Sequence, residues 1–145
     1  MDVREKFKHL FSDQTVQKRL RDVFHVRFVA LFGSMASGRS KQESDVDLAI
    51  LFEQKLSIKQ EEHLMDDLRK LLTVDRLDVV CLNDAACSLR YEVSQNGILL
   101  FENREDDYIS FCIRTFKEYE EMNFLNRHYH ELQIEELARF TDAQS

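Results

Sequence analysis

Residues 33–51 read GSMASGRSKQESDVDLAIL, and this stretch decides the fold. Upstream of it, residues 25–32 (HVRFVALF) are apolar and β-prone, and they run straight into Gly33-Ser34, a turn signal at the end of a strand. After the ten residues 35–44, Asp45 leads into a second β-prone run from Val46 to Phe52. There Asp45, Asp47 and Ala49 alternate with Val46, Leu48 and Ile50, a period of two that puts both aspartates on one face. A glycine turn and a hydroxyl thus stand opposite two carboxylates. Mg²⁺ takes oxygen ligands and is usually held by one or two carboxylates plus substrate phosphates, a role suited to Asp45 and Asp47. The amides after Gly33 and the Ser34 hydroxyl suit phosphate oxygens, more so if residues 34–38 open a helix toward the ligand.

Further along, Leu64, Leu68, Leu71 and Leu72 repeat at helical spacing within residues 58–72, and Leu77 to Leu82 reads as a third strand carrying one charge, Asp78. A charge inside a buried strand is costly unless it is paired or ligates metal, so Asp78 is the candidate third carboxylate of a two-metal site. The bland alternative is a strand-end aspartate bonded to backbone amides. Asn83 is placed to cap a helix carrying Ala86, Leu89 and Val93, which ends at Asn96-Gly97 before a short strand from Ile98 to Phe101. Before the first strand, Val3, Phe7, Leu10 and Phe11, then Val16, Leu20, Val23 and Phe24, form two helical patterns with Ser12 or Asp13 as the cap between them. After Asp106, Tyr108, Cys112, Phe116, Tyr119 and Met122 follow a helical stripe, continued by Leu125, Tyr129, Leu132, Leu137 and Phe140.

With 145 residues, 43% of them hydrophobic, the chain has the size and apolar content of one domain, 1–145, with residues 104–145 as a helical tail and candidate partner-binding segment. No apolar run approaches the roughly 18 residues that span a membrane. Met1 to His9 is charged rather than signal-like, so a cytoplasmic protein is expected. A net charge of −7 opposes direct binding of nucleic acid, whose phosphates need a basic footprint. Cys81, Cys87 and Cys112 form no CxxC pair and read as buried free thiols, and the five histidines read as surface residues.

The GSx10DxD pattern formed by Gly33, Ser34, Asp45 and Asp47 resembles the motif of the polymerase β-type nucleotidyltransferases, and the short chain is similar to their minimal class. That resemblance implies an α/β (α+β) fold: a polymerase β-like nucleotidyltransferase core with a small mixed sheet flanked by helices and a C-terminal helical extension. It implies Asp45, Asp47 and Asp78 as catalytic, metal-binding residues for two Mg²⁺ ions, and Gly33 and Ser34 as nucleotide-binding residues. Minimal members usually carry an arginine between the motif alanine and glycine; here Ser37 stands there, with Arg39 only after Gly38. Arg39 or Lys41 is the substitute phosphate contact, or else simply part of a solvated loop.

Chains of the MntA family, which this one resembles, are antitoxins that adenylylate a tyrosine of a HEPN-domain ribonuclease toxin. The resemblance therefore implies ATP as co-substrate and a HEPN-domain toxin as protein acceptor and hetero-oligomeric partner. Two alternatives stay open: nucleotidyl transfer to a small-molecule hydroxyl such as an aminoglycoside's, and an antitoxin that acts by binding alone.

Overall fold

The structure is a computed structural model that describes residues 3–33, 46–72 and 76–144. In chain order its elements are α1 (Val3–Phe11), α2 (Gln14–Asp22), β1 (Val26–Phe32), β2 (Val46–Phe52), α3 (Ile58–Leu72), β3 (Leu77–Cys81), α4 (Cys87–Asn96), β4 (Ile98–Glu102) and α5 (Asp107–Gln144). The four strands form one sheet in the order β3-β2-β1-β4. β1 is antiparallel to both β2 and β4, and β2 is parallel to β3, so the sheet is mixed.

Both faces of this sheet are covered, which is why β1 reads as a continuous apolar run rather than an alternating one. On one face Val29, Leu31, Val46, Leu48 and Ile50 pack with Phe7 and Phe11 of α1, Leu20 of α2, and Leu64, Leu68 and Leu72 of α3. On the other, Phe28, Ala30, Phe32 and Ala49 pack with Val93 of α4 and Phe111 of α5. Arg19 of α2 pairs with Asp67 of α3 (2.6 Å), a clasp between two helices of the first layer.

The helix starts follow side-chain chemistry. Asp13 caps α2, its carboxylate accepting from the amides of Thr15 (2.8 Å) and Val16 (3.2 Å). α3 opens on a reciprocal capping box: the Ser57 hydroxyl accepts from the Gln60 amide (3.2 Å), and the Gln60 side chain accepts from the Ser57 amide (2.9 Å). Asn83 does not cap α4, which starts at Cys87 with Ala86 in the cap position and no side-chain cap bond. Its carboxamide instead accepts from the Phe52 amide (3.0 Å) and donates to the Phe52 carbonyl (2.9 Å). Register pairing of β2 with β3 ends at Ile50 and Cys81, so Asn83 stands in as the next rung of the ladder.

One further expectation is corrected. The three cysteines are free but half-buried rather than buried. In α5 it is Phe111 and Thr115 that face the core, while Phe116 is 48% exposed. Tyr108 lies against Phe28 edge-on (5.0 Å between centroids) and donates its hydroxyl to the Val93 carbonyl (3.1 Å). Burial pushes this phenol above its ordinary range, so it stays a neutral donor. Among the described residues no helix is long and apolar enough to cross a membrane.

Phe28 is fully buried between β1's neighbours and α5, so Phe28→Ala is expected to cost about 3–5 kcal/mol in urea denaturation. Thr115 is equally buried, and its hydroxyl has no hydrogen-bond partner among the described residues. The isosteric Thr115→Val is therefore expected to raise stability by about 1 kcal/mol in the same assay.

Candidate active site

The parallel ladder between β2 and β3 places Asp47 directly opposite Asp78. Neighbouring strands lie about 4.8 Å apart and paired residues share a face, so the two carboxylates project side by side. The face they share is that of Ala49 and Val80, the one covered by α4 and α5. The register is pinned just before the pair, where the Val46 amide donates to the Arg76 carbonyl (3.0 Å). No side-chain pattern announces that backbone bond, and sequence reasoning missed it.

β1 delivers the third component. Its last residue, Phe32, is paired with Asp47, and Gly33 follows at φ +76°, in the left-handed region that favours glycine. A β-carbon built on Gly33 would run into the Asp47 carboxylate. The bare glycine is therefore what allows the turn to lie against this acid. Asp47 is half-buried and Asp78 is exposed, on an edge strand open to solvent. The expectation that Asp78 is a charge trapped within a buried strand is thus corrected: what singles it out is its register with Asp47.

Of the expected site residues, the structure brings together Gly33, Asp47 and Asp78. Ser34, Ser37, Gly38, Arg39, Lys41 and Asp45 lie outside the described residues. Two adjacent carboxylates are hard oxygen donors that repel each other when both are ionised, and a divalent cation relieves that repulsion, so the pair fits Mg²⁺. The five histidines are all exposed and none joins the pair, in line with their surface reading. Gly33→Ala should strain the turn and displace the Asp47 carboxylate, costing about 1–3 kcal/mol of stability. It should also lower any activity that needs Asp47 by about tenfold or more. Comparing urea midpoints with initial rates checks both halves.

Comparison with known proteins points the same way as the geometry. The family described as "Polymerase beta, Nucleotidyltransferase" matches residues 14–106. A protein adenylyltransferase MntA of Shewanella oneidensis is 29% identical over 112 residues, covering 77% of this chain and 79% of that one. Another, from Thermococcus cleftensis, is 39% identical over 64 residues, covering 44% of this chain and 64% of that one. Among solved structures, a chain in a toxin–antitoxin crystal with AMP-PNP superposes with a TM-score of 0.66 at 26% identity, over 86% of this chain and 95% of that one. A chain in a complex of tri-AMPylated Shewanella oneidensis HEPN toxin with its MNT antitoxin gives 0.61 at 25% identity, over 86% and 96%.

Proposed function

Since this chain belongs to the polymerase β nucleotidyltransferase family, we propose that it is an antitoxin that transfers AMP from ATP to a tyrosine hydroxyl of a cognate HEPN-domain ribonuclease toxin, neutralising it. The observation that carries this reading is the Asp47–Asp78 pair with Gly33 turned against it. The protein acceptor is supported by the relatives named protein adenylyltransferase and by the likeness to a complex of an AMPylated HEPN toxin.

In the proposed reaction the tyrosine oxygen attacks the α-phosphorus of ATP. The new O–P bond forms as the bond to the β-phosphate oxygen breaks, and pyrophosphate leaves. A phenol has a pKa near 10 and is neutral at pH 7, so its proton must go to a base within hydrogen-bond reach. We assign that role to Asp78, whose exposure leaves room for a protein-borne tyrosine. Gly33 and Ser34 hold the triphosphate and Arg39 contributes a phosphate contact. Asp45, Asp47 and Asp78 would hold two Mg²⁺ ions, which when bound supply neutralisation of phosphate charge. Catalysis of this kind rests on positioning and electrostatics more than on covalent chemistry, so the rigidity of β2 and β3 is part of it.

The test is intact mass spectrometry of the product of the gene neighbouring this chain's, after incubation with the chain, Mg²⁺ and each nucleoside triphosphate in turn. A gain of about 329 Da per AMP is expected with ATP alone. It should vanish with Asp45→Ala Asp47→Ala or with EDTA and return on adding Mg²⁺. Asp78→Asn should slow the transfer by about 10²-fold or more. An acceptor that binds tightly yet gains no mass with any nucleotide would make the chain an antitoxin acting by binding alone.

A further inference from the structure

The helix α5 is 38 residues long and contains neither glycine nor proline, so it runs on as one rod and does not fold back. One stripe repeats along it at alternating steps of four and three: Phe111, Thr115, Glu118, Met122, Leu125, Tyr129, Leu132 and Glu136, with Phe140 four residues on. The stripe begins buried at Phe111 and Thr115, is half-buried at Glu118 and Met122, and from Leu125 onward is open to solvent. Leu125, Tyr129, Leu132 and Phe140 are 50–64% exposed. The rod beyond residue 123 is about 30 Å long, and the family match ends at residue 106, before the helix begins.

We infer that this distal stripe of α5 is the docking surface for the protein acceptor, and that the matching surface on the acceptor is an apolar groove rimmed by lysine or arginine. The inference rests on the reading that the acceptor is a protein. Charge selects the occupant. Residues 117–144 hold seven acids (Glu118, Glu120, Glu121, Glu131, Glu135, Glu136 and Asp142) against three bases (Lys117, Arg127 and Arg139). Glu118 is already paired with Arg90 (3.3 Å), but Glu136 stands exposed within the distal stripe, so an opposing surface must offer a cation as well as apolar side chains. A second copy is a poor occupant. Two such helices paired in parallel set Glu136 against itself, and an antiparallel pair centred on Tyr129 buries Glu136 against Met122. The same acids repel nucleic acid and anionic membrane. A protein that binds RNA carries the basic surface this helix requires.

The test uses the full chain and the product of the neighbouring gene as acceptor, with Leu125→Glu Leu132→Glu on the stripe, Glu136→Lys for charge, and Ile134→Glu off the stripe as control. Leu125, Leu132 and Ile134 are 50–63% exposed, and circular dichroism with thermal melts verifies the fold of each variant. The stripe variant is expected to bind at least about 30-fold more weakly, and the charge variant about tenfold more weakly with a reduced salt dependence. Both should raise KM for the acceptor and leave kcat and the Kd for AMP-PNP unchanged, while the control behaves as the parent. Parent-like binding and KM in the stripe variant overturn this inference and leave the adenylyltransferase reading standing. A parent that neither binds nor modifies the acceptor defeats both. A parent dimer in sedimentation that the stripe variant dissolves assigns the surface to a second copy and overturns the inference as well.

Discussion

The parallel ladder between β2 and β3 sets Asp47 beside Asp78, and the chemistry available to this molecule depends on its register. A slip of one residue would carry Asp78 to the opposite face, among the side chains that pack on α1, α2 and α3, and leave Asp47 alone. The register is held at both ends by groups that are not apolar. The Arg76 carbonyl takes the Val46 amide at one end, and the Asn83 carboxamide closes on Phe52 at the other. Between these two ties the paired residues are apolar except for Asp47 and Asp78, which meet each other across the ladder.

The sheet's two layers divide the work. The layer of α1, α2 and α3 is a plain apolar core in which Phe7, Phe11, Leu64, Leu68 and Leu72 are almost wholly excluded from water. The layer of α4 and α5 is smaller and more polar, with Tyr108 bonded to Val93, Arg90 paired with Glu118 (3.3 Å), and Tyr91 stacked on Tyr119 (3.7 Å between centroids). The carboxylates open on this second side, where polar groups are already tolerated.

Much of this was legible in the residues. The Gly33 turn and the β2 alternation announce themselves because glycine and a period of two each have a specific physical cause, and α3 falls at residues 58–72 as its leucines require. The contacts made by long-range register were hidden. Asn83 has the composition of a cap, and only the early end of the β2–β3 ladder turns it into a rung. The buried face of α5 at Phe111 and Thr115 is not legible, because the helix carries apolar residues on several sides, Ile109, Ile113 and Phe116 as well as Phe111, and composition does not fix the phase. Asp78 stands out in the residues as a lone charge in an apolar run, but its exposure is not legible there, because nothing local says that β3 is an edge strand. Ser34 and Asp45 rest on the motif and the alternation of residues 45–50, and Arg39 on its place after Gly38 where minimal members carry an earlier arginine.

The central position of β1 has a kinetic meaning. Its first neighbour, β2, follows it closely, but its second, β4, arrives only when Phe28 meets Glu102, roughly 70 residues later in the chain. A pairing of such long range is entropically slow to close, so the sheet is incomplete until residue 102 has been synthesised. Until then β1 presents a bare hydrogen-bonding edge made of Phe28, Val29, Ala30 and Leu31, an adhesive surface during synthesis. The long helix comes last, after that edge has been sealed.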